Sequence, residues 1–98
     1  MIKSYADSGT RDVAEGRRSS KARRTLPIAL HEIALVRLSW LDAAVMTEDL
    51  RNAPNSYRVE KLKGDRAGQF SVRINEKYRI CFKVLAENVI DVEICDYH

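Results

Sequence analysis

The strongest constraint on the fold is a two-residue alternation of apolar and polar side chains in three segments of the carboxy-terminal half. It runs through residues 69–74, 78–84 and 89–95. Successive side chains of a strand point to opposite faces, so the pattern predicts three strands, each with one apolar and one polar face. Residues 75–77, Asn-Glu-Lys, are typical of a tight hairpin connection. We therefore expect an antiparallel sheet whose apolar face must be covered.

The two faces of this sheet have different compositions. The expected inward face collects the alternating apolar residues Phe70, Val72, Ile74, Ile80, Phe82, Val84, Ile90, Val92 and Ile94. The opposite face is expected to be open and to carry Arg73, Arg79, Lys83, Asp91 and Glu93. Lys63 would join it from the polar turn 63–68, and Tyr97 from the chain end. Arg79 could simply pair with Glu93 or Asp91 across the sheet, as exposed strand charges often do.

The amino-terminal half carries the helical patterns. Thr25 is expected to cap a helix over residues 26–45, since Pro27 suits a first turn. In this helix Leu30, Ile33, Ala34, Leu38, Leu41 and Ala44 fall on one side at helical spacing. His31 falls on the other side and is expected to be exposed, while Trp40 is expected in the core.

Weaker signals complete the chain. Residues 2–5 predict a short strand, residues 7–16 a weak helix, and residues 19–25 a polar loop. Thr47, followed by Glu48 and Asp49, indicates a short helix that ends before Pro54. The expected class is α+β: one domain over residues 1–98, with N-terminal helices packed on one face of a small antiparallel sheet that becomes mixed where the N-terminal strand joins it.

Charge and composition restrict the function. The formal net charge is +3, and basic residues concentrate in one segment, which we call the basic cluster: Arg17, Arg18, Lys21, Arg23 and Arg24. Such a segment is either a solvated surface or a contact for a polyanion.

No apolar run approaches the ~18 residues of a membrane span, and the start has no signal-peptide pattern, so we expect a cytoplasmic protein. Cys81 and Cys95 are too few for a disulfide scaffold or a zinc site and are expected to be small buried hydrophobes.

Several stretches, taken in order, resemble one known family. They are residues 62–68 (LKGDRAG), 71–75 (SVRIN), 78–82 (YRICF) and the final Asp96-Tyr97-His98, with the opening MIKSY and residues 41–44 (LDAA) in support. This set is similar to the HigB, or plasmid-maintenance killer, family of RelE-like toxins. The resemblance implies a RelE-like fold, a concave face that holds mRNA in the ribosomal decoding site, and a helix-turn-helix antitoxin of the HigA type as partner.

The resemblance also implies site residues. Arg79 matches the arginine that family members use near the scissile phosphate, Lys63 matches their basic loop residue, and Asp96, Tyr97 and His98 match their C-terminal cluster. Some relatives carry a histidine where this chain has Glu60, so Glu60 must substitute for it or the protein manages without it.

Cleavage of RNA by its own 2′-hydroxyl requires a base, cations that stabilise charge on the phosphate, and an acid for the leaving 5′-oxygen. Arg79 offers a forked cation, Lys63 a point charge, His98 a group that titrates near neutrality, and Tyr97 a proton donor or a stacking ring. We expect an endoribonuclease without metal or other cofactor, with the basic cluster, Arg73 and Lys83 binding RNA or the ribosome. Two alternatives remain: a ParE-like inhibitor of DNA gyrase with the same fold, and a catalytically weakened RelE-fold binding protein.

Overall fold

A computed structural model of the chain describes residues 1–44 and 47–96. Four antiparallel strands form one sheet in the order β1-β2-β3-β4, with β1 at Glu60–Lys61, β2 at Phe70–Arg73, β3 at Tyr78–Leu85 and β4 at Asn88–Asp96. The amino-terminal segment lies parallel to β4, through bridges from Ile2 to Val89 and from Tyr5 to Val92. The α+β class is confirmed, and the sheet is mixed at the edge where that segment joins it.

The described residues include four α-helices: α1 at Ser8–Ala14, α2 at Ser20–Thr25, α3 at His31–Ala43 and α4 at Thr47–Arg51. Three 3₁₀ turns cover Ile28–Leu30, Asn55–Tyr57 and Gly64–Arg66. Among residues 1–44 and 47–96, no helix has both the length and the apolar character needed to cross a bilayer.

The loop expected at residues 19–25 is wrong, because this segment forms α2. The Ser19 hydroxyl accepts a hydrogen bond from the Ala22 backbone N–H at 3.1 Å and so caps the helix. Thr25 ends α2 instead of capping the next helix, and Pro27 stays outside helical geometry before the 3₁₀ turn. The long helix therefore begins at His31, five residues later than expected, and Val45 lies outside the described residues.

The core lies between the helices and one face of the sheet. Phe82, Val72 and Ile80 from the sheet have no exposed surface, and Leu26 and Leu41 from the helical side have none either. Each such side chain contributes roughly 1.5–3 kcal/mol on burial. The alternation in β2 and β3 therefore predicts their inward faces correctly.

His31 is buried, which contradicts its expected exposure. It is 6% exposed, and its Nε2 lies 2.7 Å from the Leu26 carbonyl oxygen. The 3₁₀ turn before α3 changes the phase of the helix relative to an unbroken helix from residue 26, so His31 turns toward the α2–α3 connection. Trp40 is half-buried and packs edge-on against Tyr57, with ring centroids 5.2 Å apart.

The inward prediction for Ile90 is also wrong. The β3–β4 register shifts between Cys81 and Lys83, which places Ile90 opposite Lys83 and Val89 opposite Val84. Between these pairs β4 has one residue more than β3, which is a β-bulge. Asp91, within the bulge, has a left-handed φ of 53°. Ile90 thus lies on the polar face, and Val89, 3% exposed, takes the core position.

Candidate active site

Arg79 is the best-anchored charged side chain of the polar face. Its Nε donates to the Ser71 hydroxyl at 2.7 Å, its Nη2 donates to the Arg58 carbonyl, and a Glu60 carboxylate oxygen lies 3.8 Å away. The side chain is 10% exposed. The expectation that Arg79 stands on an open face is therefore wrong, because the segment that leads into β1 folds against it.

Arg58 supplies a feature that no sequence signal indicated. Its backbone is left-handed, with φ 44° and ψ 58°, directly after the 3₁₀ turn Asn55–Tyr57. This conformation is uncommon for a residue with a side chain and costs on the order of 1–3 kcal/mol. Its carbonyl accepts the hydrogen bond from Arg79. Ser71, in contrast, could have been identified, since alternation places it and Arg79 on the same face.

A second arginine lies beside the first. Arg73 of β2 is directly opposite Arg79 of β3, so the two side chains leave the sheet on the same face. The Arg73 carbonyl accepts a hydrogen bond from Arg37, whose guanidinium carbon sits 4.4 Å from the Tyr57 ring centroid. Burial is the main reason that the pKa of Arg37 falls below its usual value.

Glu93 and Asp91, the expected cross-strand partners of Arg79, instead lie beside other cations. Glu93 contacts Arg66 at 3.2 Å, and Asp91 lies 3.8 Å from Lys83. The hydrogen bond from Arg66 to Glu93 raises the pKa of Arg66 further. Glu93 and Asp91 each have another cation, and among the described residues Glu60 is the carboxylate within ion-pair distance of Arg79.

The turn that carries Lys63 is anchored over this face by a small apolar cluster. Leu62 packs with Cys81 and Cys95, all three buried, and the two sulfur atoms are 3.1 Å apart. The Cys95 thiol donates to the Cys81 sulfur, and this contact together with burial raises the pKa of Cys95. Both cysteines are free and buried, as expected of small hydrophobes. Lys63 itself is exposed.

The C-terminal residues of the expected site are placed differently. Asp96 pairs with Tyr78 in the register, which puts it on the same side of the sheet as Ile80 and Ile94, whereas Arg79 is on the other side. Its carboxylate lies 3.6 Å from Lys77. The strands therefore do not bring Asp96 to Arg79. Tyr97 and His98 lie outside the described residues.

The expected RNA-binding residues divide between two surfaces. The basic cluster lies in and beside α2, which packs against α1 on the helical side of the sheet. All five side chains of the cluster are exposed, as is Lys83, whereas Arg73 is half-buried. The basic cluster is therefore separated by the core from the face that carries Arg73, Arg79 and Lys83. Within the described residues, no group of three or more His, Cys, Asp or Glu side chains is arranged to hold a metal ion.

Comparison with known proteins identifies the family. Residues 14–98 match the HigB-like toxin family, described as the RelE-like toxin of the type II toxin-antitoxin system HigB. Over 63 residues the chain is 36% identical to Toxin HigB-1 of Vibrio cholerae serotype O1, a match that covers 64% of this chain and 65% of that relative.

The fold is similar to that of solved toxin structures. The YoeB-YefM complex from Staphylococcus aureus contains a chain that superposes with a TM-score of 0.59 at 20% identity, covering 100% of this chain and 95% of that one. A heterotetrameric YoeB-YefM complex from the same organism gives a TM-score of 0.58 at 20% identity, with the same coverage. At this identity the likeness concerns the fold.

Proposed function

Because the chain belongs to the HigB-like family of RelE-like toxins, we propose that it is the toxin of a type II toxin-antitoxin pair and acts as a ribosome-dependent endoribonuclease. Its substrate is mRNA during translation. The observation that carries this proposal is the guanidinium of Arg79, held by Ser71 and Arg58 beside the carboxylate of Glu60.

The anchoring of Arg79 suits a phosphate site. A guanidinium has five N–H donors in a rigid fork, and within residues 1–44 and 47–96 the Ser71 hydroxyl and the Arg58 carbonyl accept from it and fix its orientation. Arg73 adds a second positive charge on the same face. Fixed donors of this kind stabilise the charge that develops on a phosphate without reorganising during the reaction.

The reaction proceeds by attack of a ribose 2′-oxygen on the adjacent phosphorus. The 2′-hydroxyl loses its proton to a base, the new P–O bond closes a cyclic phosphate, and the bond to the 5′-oxygen breaks as that oxygen gains a proton. Arg79 and Lys63 stabilise the phosphate oxygens. Glu60 takes the first proton in our proposal, because its half-exposed carboxylate lies beside the arginine that holds the phosphate.

Asp96, Tyr97 and His98 are proposed as the remaining site residues on the family resemblance alone. The acid for the 5′-oxygen comes from Tyr97 or His98 in this proposal. The reaction needs no metal ion or other cofactor held by the toxin, since arginine and lysine supply the positive charge.

In this proposal the ribosome positions the mRNA for cleavage, and the toxin binds to the ribosome through its exposed basic residues. Beside Arg79 the described residues offer cations and the carboxylate of Glu60, so much of the barrier reduction must come from positioning. The basic cluster, on the helical side, is suited to ribosomal RNA phosphates, while Arg73 and Lys83 face the message. We also propose a HigA-type helix-turn-helix antitoxin as the partner that neutralises the toxin, and action in the cytoplasm, where ribosomes are.

Expression of the chain without an antitoxin tests this function. We expect growth arrest, with new RNA 5′ ends mapped inside translated reading frames, and slow cleavage of naked RNA by the purified protein. If gyrase instead fails to supercoil plasmid DNA while the mRNA stays intact, the chain is a ParE-like inhibitor and the proposal is refuted.

A further inference from the structure

A cleft opens at the β1 edge of the sheet, next to the candidate active site. It has a volume of about 470 Å³ and lies between α4 and the segment that runs from Pro54 to Lys61. Small-molecule sites typically have volumes of roughly 300–1,000 Å³, and the volume of this cleft falls in that range.

The lining combines apolar surface with positive charge. Leu50, Val59 and Phe70 provide the apolar part, and Phe70 is held in place by stacking on Phe82, with centroids 5.9 Å apart and planes 23° from parallel. The bases of single-stranded RNA bind on such aromatic and apolar surfaces, largely without regard to their hydrogen-bonding edges.

Three cations line the same cleft: Arg51, Arg58 and Lys61. In the part of the chain that the structure describes, none of them lies within ion-pair distance of a carboxylate. The acidic residue in the lining is Glu60, whose carboxylate is already beside Arg79. The charge of the cleft is therefore complementary to an anion.

The cleft and the candidate active site share the backbone of Arg58. Its carbonyl receives the Arg79 hydrogen bond, and its residue lines the cleft. Glu60 and Lys61 pair with Ser71 and Phe70, so Glu60 faces the Arg79 side and Lys61 the cleft side of β1. A strand of only two residues separates them. A polymer with one phosphate at Arg79 can therefore extend around this edge and place its next unit in the cleft. RNA has a phosphate at every unit, so this arrangement favours RNA over an acidic peptide.

We propose that the cleft between α4 and β1 binds one unpaired nucleotide of the mRNA that flanks the phosphate held at Arg79. The base lies on Phe70 and Leu50, and Arg51 and Lys61 hold the nucleotide's phosphate. This inference rests on the proposed function, because it assigns a second contact to the same substrate.

Photo-crosslinking on programmed ribosomes tests the cleft directly. The mRNA carries a 2′-O-methyl group at the cut position, so that it stays intact, and 4-thiouridine at one flanking nucleotide, 5′ in one message and 3′ in the other. We expect one of the two messages to crosslink to a peptide within residues 50–61 or to Phe70. Crosslinking in Arg51→Gln/Lys61→Gln should fall by about tenfold, as expected for the loss of charged hydrogen bonds.

The matched control is Lys3→Gln/Arg11→Gln, which removes the same charges from exposed positions on the amino-terminal segment and α1. Its crosslinking should stay within twofold of wild type. Crosslinks that map elsewhere, or an undiminished yield in Arg51→Gln/Lys61→Gln, overturn the inference. So does a loss of antitoxin binding in that variant with crosslinking intact, since the cleft would then hold a peptide. Unmodified mRNA in parallel reactions reports cleavage, so failure of the cleft is distinguishable from failure of the endoribonuclease proposal.

Discussion

Replacing Arg79 by methionine separates its catalytic contribution from its structural one. Methionine keeps much of the apolar stem and removes both the charge and the two donated hydrogen bonds, to Ser71 and to the Arg58 carbonyl. An unsatisfied buried group costs about 1–3 kcal/mol. Ser71, which loses the Arg79 donor, is fully buried, so we expect the free energy of unfolding to drop by about 2 kcal/mol.

This loss leaves the domain folded. Domains of this kind have about 5–15 kcal/mol of stability, so more than about 99% of Arg79→Met molecules remain native after the loss. Any large fall in activity therefore comes from the site. Removing one preorganised donor to a developing oxyanion lowers the rate by about 10²–10³, or about 2.7–4 kcal/mol of transition-state stabilisation.

The assay is single-turnover cleavage of mRNA on programmed ribosomes, with ribosome binding measured separately and thermal unfolding followed by circular dichroism. Arg79→Lys should recover the rate only in part, because one ammonium cannot reproduce the planar fork. Arg11→Met, on the exposed side of α1, is the control and should cleave at the wild-type rate. Wild-type cleavage by folded Arg79→Met would refute the assignment of Arg79 to the phosphate.

Four further outcomes are expected. Glu60→Gln should lower the cleavage rate by about 10²–10⁴, with Glu60→His restoring activity; a wild-type rate in Glu60→Gln would exclude Glu60 as the base. Neutralising the basic cluster should weaken ribosome binding and flatten its salt dependence by about one slope unit per lost phosphate contact, whereas the rate at saturation should hold. A Cβ on Gly9 would lie 1.9 Å from the Thr25 hydroxyl oxygen, so Gly9→Ala should reduce stability by about 1–3 kcal/mol in a urea titration, and Gly9→Ala/Thr25→Ala should recover part of the loss. Glu87 has φ 65° in the β3–β4 turn, so Glu87→Gly should raise stability by about 0.5–1 kcal/mol; a decrease would contradict the strain argument.

Local patterns alone identified much of the site's composition. The alternation in β2 and β3 placed Ser71, Arg73 and Arg79 on one face, because the direction of a side chain in a strand depends on the parity of its position. The family resemblance selected Arg79 among the cations of that face. Neither source indicated Arg58, since a left-handed backbone at a non-glycine residue depends on what surrounds it.

The sequence by itself determined the fold class, the apolar faces of β2 and β3, and the burial of both cysteines, because each follows from periodicity and hydrophobicity within a few neighbouring residues. The helix at residues 20–25 has a local signal, the Ser19 cap on Ala22, which the sequence interpretation missed. Only the tertiary structure decided that a bulge exchanges Ile90 for Val89 in the core and that Arg79 is buried. Each of these depends on contacts between segments distant in the chain: Arg79 meets Arg58 across 21 positions, and Thr10 of α1 accepts from Ile94 of β4 across 84. Such contacts produce no periodic pattern in the sequence of either segment. They form only when the chain folds, so neither segment predicts them by itself.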